Sequence, residues 1–564
     1  MAGVFTIMVA QIFIKLLGFL YRHVLIIIPE FGDEGTGIYG IGFNIYMLLL
    51  TVATVGIPGA ISKLVSNRVA KGEIKEAKHI FKIALLLFSM IGLAGTIIML
   101  ISAKSMANLA GNEAATGVLI ALAPSVVFVA IAAVIRGYFN GMYNMKPASF
   151  NQALEQIFKA GLTIVFVYAI HYIYHNQAEV ALQFGITEST VTSIMAVWAN
   201  IASTISTAVG LFYLFIYFRI HRKDIYNLNK EEIEDNSEIK SLKQTIKMIL
   251  SLSIPMSLAS IVSAINRNID SFTVNNILQQ VLPLMKPEMA GNKELIVSEA
   301  TRLYGILAGK VDMLIGLPLS INIAFATALV PAITEAISKK DEALASKRIS
   351  YSLKLSILIA LPCSIGLMCL AGPILELLFT GQLSTSPEST LLLQISSLTI
   401  LFTVVNQTIN ASLQGLGKLY IPALALLCGV AVKLILNLVL IRIPEINVYG
   451  ASISSVCCHL IATIIVFTVL RKNIKLQFDF KSLVIKPVIA TALMAVFAIL
   501  SFNGIKMLLG YSSRIMTIVS LIVAVVVYLL SVVKLKILSK DDYSLLPAGE
   551  KIYKILSKLR LVKE

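Results

Sequence analysis

Charge is scarce in this chain: 14% of its 564 residues are Asp, Glu, Lys or Arg, against 57% hydrophobic residues. With a mean hydropathy of +0.85, that composition excludes a soluble fold, whose core could not hide so much apolar surface. There is no Walker A sequence, so ATP hydrolysis on a P-loop is excluded. The short loops hold no acid–base constellation of the kind a membrane glycosyltransferase would need. No cleavable signal peptide is expected, because the first apolar run is too long and no small-residue site closes it. Cysteine is limited to Cys363, Cys369, Cys428, Cys457 and Cys458, all in apolar stretches and none spaced with histidine as a zinc site requires. They read as small helix-packing residues. His171, His175 and His459 read as isolated interface or core histidines, and no metal site is expected.

What is present is a succession of about fourteen apolar runs, each long enough to cross about 30 Å of hydrocarbon. The expected fold is an all-α polytopic membrane protein. The first loop, "PEFGDEGTG", has three acids and no Lys or Arg, whereas residues 63–82 carry six Lys/Arg. Residues 171–188 again have none, "SKKDEALASKR" is basic, "GPILELLFTGQLSTSPE" has no cation, and "RKNIKLQFDFKS" is basic. The alternation puts both termini in the cytoplasm under the positive-inside rule. It also accounts for most of the net charge of +16, so no nucleic-acid partner is expected.

Two related halves are visible. "RGYFNG" (136–141) and "NASLQG" (410–415) are each followed by a proline, Pro147 or Pro422, and by a lysine eighteen residues after the last glycine, Lys159 or Lys433. "KGEIKEAKHI" and "KDEALASKRI" match in the same order. Both halves begin on the same membrane side, which makes a parallel repeat with the substrate path between its halves. The expected domains are an N-terminal six-helix lobe (1–219), a charged cytoplasmic linker (220–245), a C-terminal six-helix lobe (246–470), two extra helices (471–536) and a cytoplasmic amphipathic tail (537–564). The tail's apolar residues at 552, 555, 556 and 559 share one helical face.

Some charges lie within the apolar runs. Gln11, Lys15, Gly18 and Arg22 fall within about 60° of one another on a helix. A centred cation costs about 2.5–3.5 kcal/mol, so this stripe suits a wet internal cavity, the alternative being two cations snorkelling to opposite interfaces. Ser260, Ser263, Arg267 and Asp270 form a second stripe above Pro255, where a kink is expected. Arg267 and Asp270 are also spaced to pair with each other. Asn151, Glu155, Lys159 and Thr163 are four apart, with Glu155 and Lys159 in the favourable order for an intrahelical pair. Arg136 ends the fourth run. Lys310 and Asp312 do not face each other and need partners elsewhere. Lys433 and Asn437 lie deep in a later run, with Lys433 a candidate partner for Asp270. Internal cations outnumber internal acids, which selects an anion, and arginine suits phosphate.

"KLLGFLYR" and "GTGIYGIGFNIYMLLLTVATVGIPGAISKLVS" resemble the start of the polysaccharide-biosynthesis flippases of the stage V sporulation protein B type. "RGYFNGMYNMKPASFNQALEQIFK" is similar to that group's fourth and fifth spans, and "LVPAITEA" to the end of its eighth. The group belongs to the multidrug/oligosaccharidyl-lipid/polysaccharide exporter superfamily, with the lipid II flippases. The resemblance implies two pseudo-symmetric six-helix lobes plus two extra C-terminal helices, alternating access, and a polyprenyl-pyrophosphate substrate bearing sugars. It implies that Lys15 engages the pyrophosphate; Arg22 is one place off in a strict alignment. Asp270 matches an acid of a sodium site known in some relatives. Lys433 stands where a neutral or acidic ligand belongs, and its ammonium can replace the ion.

The expected function is a flippase for a lipid-linked cell-wall or envelope precursor in the bacterial cytoplasmic membrane, not an enzyme. Lys15, Arg22, Arg136, Glu155, Lys159 and Arg267 are the expected substrate-binding residues, with Asp270, Lys433 and Asn437 as ion or charge-relay candidates. No cofactor is expected; the energy sources open to it are the membrane potential and a coupling ion such as Na+. Cell-wall synthesis enzymes are candidate partners. The alternatives are a drug/cation antiporter, which would need acidic cavity walls, a non-transporting scaffold, which would tolerate alanine at Lys15, Arg22 and Arg267, and a membrane enzyme that builds the glycan.

Overall fold

The computed structural model describes residues 2–221, 240–379, 386–476, 479–509 and 514–538, and among them every regular element is helical. A chain surrounded by hydrocarbon must satisfy its backbone groups internally, and apolar runs of this length do so as helices. The helices are α1 (Ala2–Ile27), α2 (Gly32–Thr54), α3 (Ile57–Ala70), α4 (Ile74–Leu109), α5 (Ala115–Gly141) and α6 (Lys146–Asn176). Next come α7 (Ala178–Gln183), α8 (Val191–Ile220), α9 (Leu242–Met285), α10 (Lys293–Gly305), α11 (Asp312–Ser338) and α12 (Glu342–Cys369). The last six are α13 (Ala371–Leu378), α14 (Pro387–Gly415), α15 (Ile421–Leu440), α16 (Tyr449–Asn473), α17 (Lys486–Leu509) and α18 (Arg514–Lys534).

Among the described residues, twelve helices are long and apolar enough to cross a membrane, and thirteen if a bent pair is one span. The expected fourteen is therefore approximate. The bent pair is α9, which turns by 50° between Ile254 and Ser257, where Pro255 sits and a kink was expected. The run expected at 303–336 starts earlier instead: α10, a π-helical turn at Ile306–Val311 and the first part of α11 make one membrane-length span, Lys293–Ile323.

The chain forms two compact units, Met1–Gly309 with Asn437–Asn447, and Lys310–Leu436 with Val448–Glu564. The first takes in α9 and α10, which the sequence groups with the second repeat. At its centre is α5, packed on α2, α3, α4 and α8. Its small side chains, among them Ala130, Ala132 and Ala133, are fully buried and let the neighbouring helices come close. In the second unit α14 has the same place, against α11, α12 and α16. There α17 and α18 pack on each other, and α17 also on α12. The expected tail helix lies outside the described residues.

The two halves repeat each other in detail. A Cβ on Gly141, at the end of α5, would lie 2.7 Å from Val65 Cβ and 2.9 Å from Ser62 O. A Cβ on Gly415, at the end of α14, would lie 2.8 Å from Ile333 Cβ and 3.1 Å from Val330 O. In each half one glycine lets the central helix touch the backbone of a neighbour, at positions with the same spacing. The turns after α3 and α11 also correspond. Gly72 and Lys340 have φ of 77° and 58°, and the next amides, Glu73 N and Asp341 N, donate to Arg68 O (2.9 Å) and Ala336 O (3.0 Å).

Beside the first of these turns, Arg68 Nη1 lies 2.6 Å from Glu73 and 3.3 Å from the buried Glu76, which Lys240 approaches at 3.7 Å. The hydrogen bond from Arg68 holds the Glu73 carboxyl below its usual range. Ser241 and Gln244 cap the start of α9 reciprocally, so the entry to α9 is tied to the α3–α4 turn.

Valine at either Gly141 or Gly415 is expected to destabilise the protein by about 1–3 kcal/mol through overpacking. Gly161→Ala, where a Cβ would meet nothing within 4 Å, is expected to leave the melting temperature in detergent unchanged. Thermal unfolding of the three variants checks both statements.

Candidate functional site

The intramembrane cations of the first unit fall into one neighbourhood, carried by α1, α5, α6 and α9. On α1, Gly18 lies against α6: a Cβ there would be 3.5 Å from Gln156 Nε2. Lys15 is exposed and lies in the electrostatic field of Arg22 and of Arg267 on α9. Arg22 Nε donates to Tyr21 Oη at 3.4 Å, and Tyr21 Oη is 3.5 Å from Tyr39 Oη of α2. Lys159 of α6 stands over the Phe43 ring, its Nζ 4.3 Å from the centroid, and 5.8 Å from that of Tyr21. At those distances a cation is attracted to the ring face.

Glu155 and Lys159 have the spacing of a helix pair, but the carboxylate is drawn to another helix. Arg136 Nη1 lies 3.8 Å from Glu155 Oε1 and donates to Asn151 Oδ1 at 3.1 Å. Arg136 already stands over α6 at the end of the buried α5, and a guanidinium can reach both Asn151 and Glu155. Thr163, the last of that row, donates to Ala199 O at 3.3 Å. Lys159 is thereby held by aromatic faces. Five cations, Lys15, Arg22, Arg136, Lys159 and Arg267, thus share this neighbourhood, with Glu155 facing Arg136 and Asp270 three residues beyond Arg267 on α9.

An aromatic wall completes it. Tyr39, Phe43 and Tyr46 follow one face of α2, with ring centroids 5.5 and 5.9 Å apart in sequence order. Their spacing of four and three in "GIYGIGFNIYMLLL" is the signal that could have found them. Beyond them Asn44 Nδ2 donates to Ser271 Oγ (3.1 Å) and Tyr304 Oη (3.0 Å), linking α2 to α9 and α10. Further along α9, Asn276 donates to Leu109 O (2.7 Å), Asn275 to Ala110 O (3.2 Å) and Gln279 to Gly111 O (2.6 Å). Three neutral amides thus satisfy the last carbonyls of α4 and its turn.

Of the ion or charge-relay candidates, Asp270 and Asn437 come together: Asn437 Nδ2 donates to Asp270 Oδ1 and to Thr273 Oγ1, each at 2.9 Å. The carboxylate of Asp270, the hydroxyl of Thr273 and the amide of Asn437 thus form one polar cluster, with the amide turned to donate to both oxygens. Lys433 is buried, and its charge acts on His459 of α16. Lys310 is buried too, with Nζ 5.3 Å from the Phe379 ring centroid.

Two histidines expected to be isolated are not. Glu30, in the α1–α2 link, accepts from His171 Nδ1 at 2.7 Å and from His175 Nε2 at 2.6 Å. The two histidines share a face of α6, and a carboxylate distant in sequence folds back onto both. Burial opposes the charge of Glu30, yet its hydrogen bonds from His175 and His171 hold the carboxyl below its usual range.

The polysaccharide biosynthesis protein family profile matches residues 1–337, and that of the lipid II flippase MurJ matches residues 310–536. The chain is 26% identical over 481 residues to stage V sporulation protein B of Bacillus subtilis (strain 168), covering 85% of each chain. It is 24% identical over 521 residues to lipid II flippase MurJ of the same organism, covering 90% of this chain and 89% of that one. A solved structure of lipid II flippase MurJ in an inward closed conformation superposes with a TM-score of 0.62 at 16% identity, over 93% of this chain and 97% of that chain. An inward-facing transporter of the MATE family, MOP superfamily, gives 0.62 at 17% identity, over 82% of this chain and 97% of that chain. These likenesses show the fold, two pseudo-symmetric helical lobes with further C-terminal helices.

Arg136→Met is expected to leave Glu155 uncompensated and cost up to about 3 kcal/mol. Combining it with Glu155→Gln should restore most of the loss, and a double-mutant cycle on thermal unfolding in detergent measures the coupling.

Proposed function

Because the chain belongs to the polysaccharide biosynthesis protein family, we propose that it is a flippase. It carries a polyprenyl-pyrophosphate-linked saccharide, lipid II-like or another envelope precursor, from the inner to the outer leaflet of a bacterial cytoplasmic membrane. The observation that carries this reading is the gathering of Lys15, Arg22, Arg136, Lys159 and Arg267 in one neighbourhood beside an aromatic wall. Pyrophosphate is a compact anion that guanidinium and ammonium groups bind through charge-assisted hydrogen bonds, and flat aromatic faces suit sugar rings. The excess of cations over acids disfavours a drug/cation antiporter, which would need the reverse.

The lobes are 1–219 and 246–470, with the helices of 471–536 beside the lipid tail's route, and both termini are cytoplasmic. The chain moves its substrate without covalent chemistry. Alternating access requires the amides of Asn275, Asn276 and Gln279 to leave the α4–α5 turn and return once per cycle. An inside-negative potential drives an anionic head group outward by about 2.3 kcal/mol per charge per 100 mV, which makes a coupling ion unnecessary.

Proteoliposomes loaded with labelled polyprenyl-pyrophosphate glycans, under an imposed inside-negative potential, test this. Wild type is expected to translocate at least one of the panel, and Arg267→Ala to slow it about tenfold or more, the worth of one charged hydrogen bond. Equal transport by Arg267→Ala would remove that residue from the site, and no transport of any glycan by wild type would sink the flippase reading.

A further inference from the structure

The cluster of Glu30, His171 and His175 lies outside the cation site, and from its geometry we propose that it is a binding site for a zinc-class divalent transition metal. His171 Nδ1, His175 Nε2 and the Glu30 carboxylate oxygens all lie within 4.8 Å of one another. The histidines are four residues apart on α6, the spacing that turns two imidazoles to one side of a helix. Both point their near nitrogens at the same carboxylate, at 2.7 and 2.6 Å. Bonds of about 2.0–2.2 Å to a tetrahedral ion would place ligand atoms about 3.3 Å apart. The two Glu30–His distances therefore need to open by less than about 1 Å, and the two imidazole nitrogens, which lie within 4.8 Å, to settle near the same spacing, to exchange the shared protons for a metal ion.

The surroundings hold the ligands in place. Thr192 Oγ1 donates to Glu30 O at 2.7 Å, and Phe31 N donates to Ile28 O at 3.1 Å, which fixes the backbone that carries the carboxylate. The rings are flanked by aromatic neighbours, His171 by Tyr168 (5.6 Å between centroids) and His175 by Tyr174 (5.1 Å). Two imidazoles and one carboxylate suit zinc, nickel or copper better than magnesium or calcium, which prefer all-oxygen sites. Three protein ligands leave a position open to water, and the His175 side chain, 48% exposed, leaves the site accessible. An ion here joins the end of α1 to the end of α6, the two helices that carry Lys15, Arg22, Glu155 and Lys159. Loop charge assigns this end to the membrane's outer side, where zinc would reach it from the medium. The inference does not rest on the flippase reading.

The test uses full-length protein in detergent, stripped with a chelator and with any purification tag removed, and zinc alone as the probe. Equilibrium binding followed by elemental analysis is expected to find one zinc ion per chain in wild type. Affinity should fall about 100-fold in His171→Gln/His175→Gln and at least about 10-fold in Glu30→Gln, the range expected for loss of a ligand or its support. Zinc should also raise the melting temperature of wild type, reversibly with chelator, a readout that needs no variant. Wild type binding zinc no more tightly than the double variant, or showing no zinc-dependent stabilisation, would overturn the site. Unchanged affinity in Glu30→Gln would overturn the three-ligand geometry.

Discussion

The pairing of Glu155 with Arg136 joins two of the helices that carry the site's cations. In a low-dielectric interior, like charges on neighbouring helices repel strongly. Glu155 faces Arg136 at 3.8 Å, which lets α5 and α6 meet at a point where each carries a cation. Glu155 answers Arg136, and α1 and α9 add the further cations that the proposed anionic substrate would meet. The aromatic faces share that work: Lys159, left without Glu155, is held by ring quadrupoles, which do not cancel its charge. The same arrangement thus joins the helices without cancelling the charge of Lys159.

Around this site the helices are positioned by closeness. Hydrocarbon offers no hydrophobic drive for one helix to leave lipid for another, so contact has to come from small residues and interhelical hydrogen bonds. Both are present: alanines along α5, Gly141 and Gly415 against carbonyl groups, and asparagines reaching across to neighbouring helices. The repetition of the Gly141 contact at Gly415, with partners at matching positions, shows that the two halves solve the packing problem the same way.

Most of the fold was legible because hydrocarbon restricts the backbone to helices, so apolar runs and loop charges convert directly into spans. The bend of α9 was legible from Pro255. The π-helical turn at Ile306–Val311 was not, since the apolar run passes through it without a proline, and the Phe379 ring beside buried Lys310 is distant in sequence. Within the site, the stripe of Lys15 and Arg22 followed from helical spacing. The partner of Glu155 did not, because the intrahelical rule that pairs it with Lys159 competes with a guanidinium from another helix. The histidines show the same limit: their spacing is visible in sequence, but Glu30 is 141 residues away from His171. Local periodicity reports which residues share a face, and tertiary contact decides what that face meets.

The two ends of α4 are fastened by different forces. At one end Arg68, Glu73, Glu76 and Lys240 form a network of ions. At the other, Asn275, Asn276 and Gln279 hold the last carbonyls by neutral hydrogen bonds. Added electrolyte screens exposed charges beyond a Debye length of about 8 Å at physiological ionic strength, so in the first fastening it reaches Lys240, 40% exposed, far more than the buried pair of Arg68 and Glu76. The ionic end is thus held by a buried pair with one exposed arm, and the neutral end by amides that carry no charge for salt to screen.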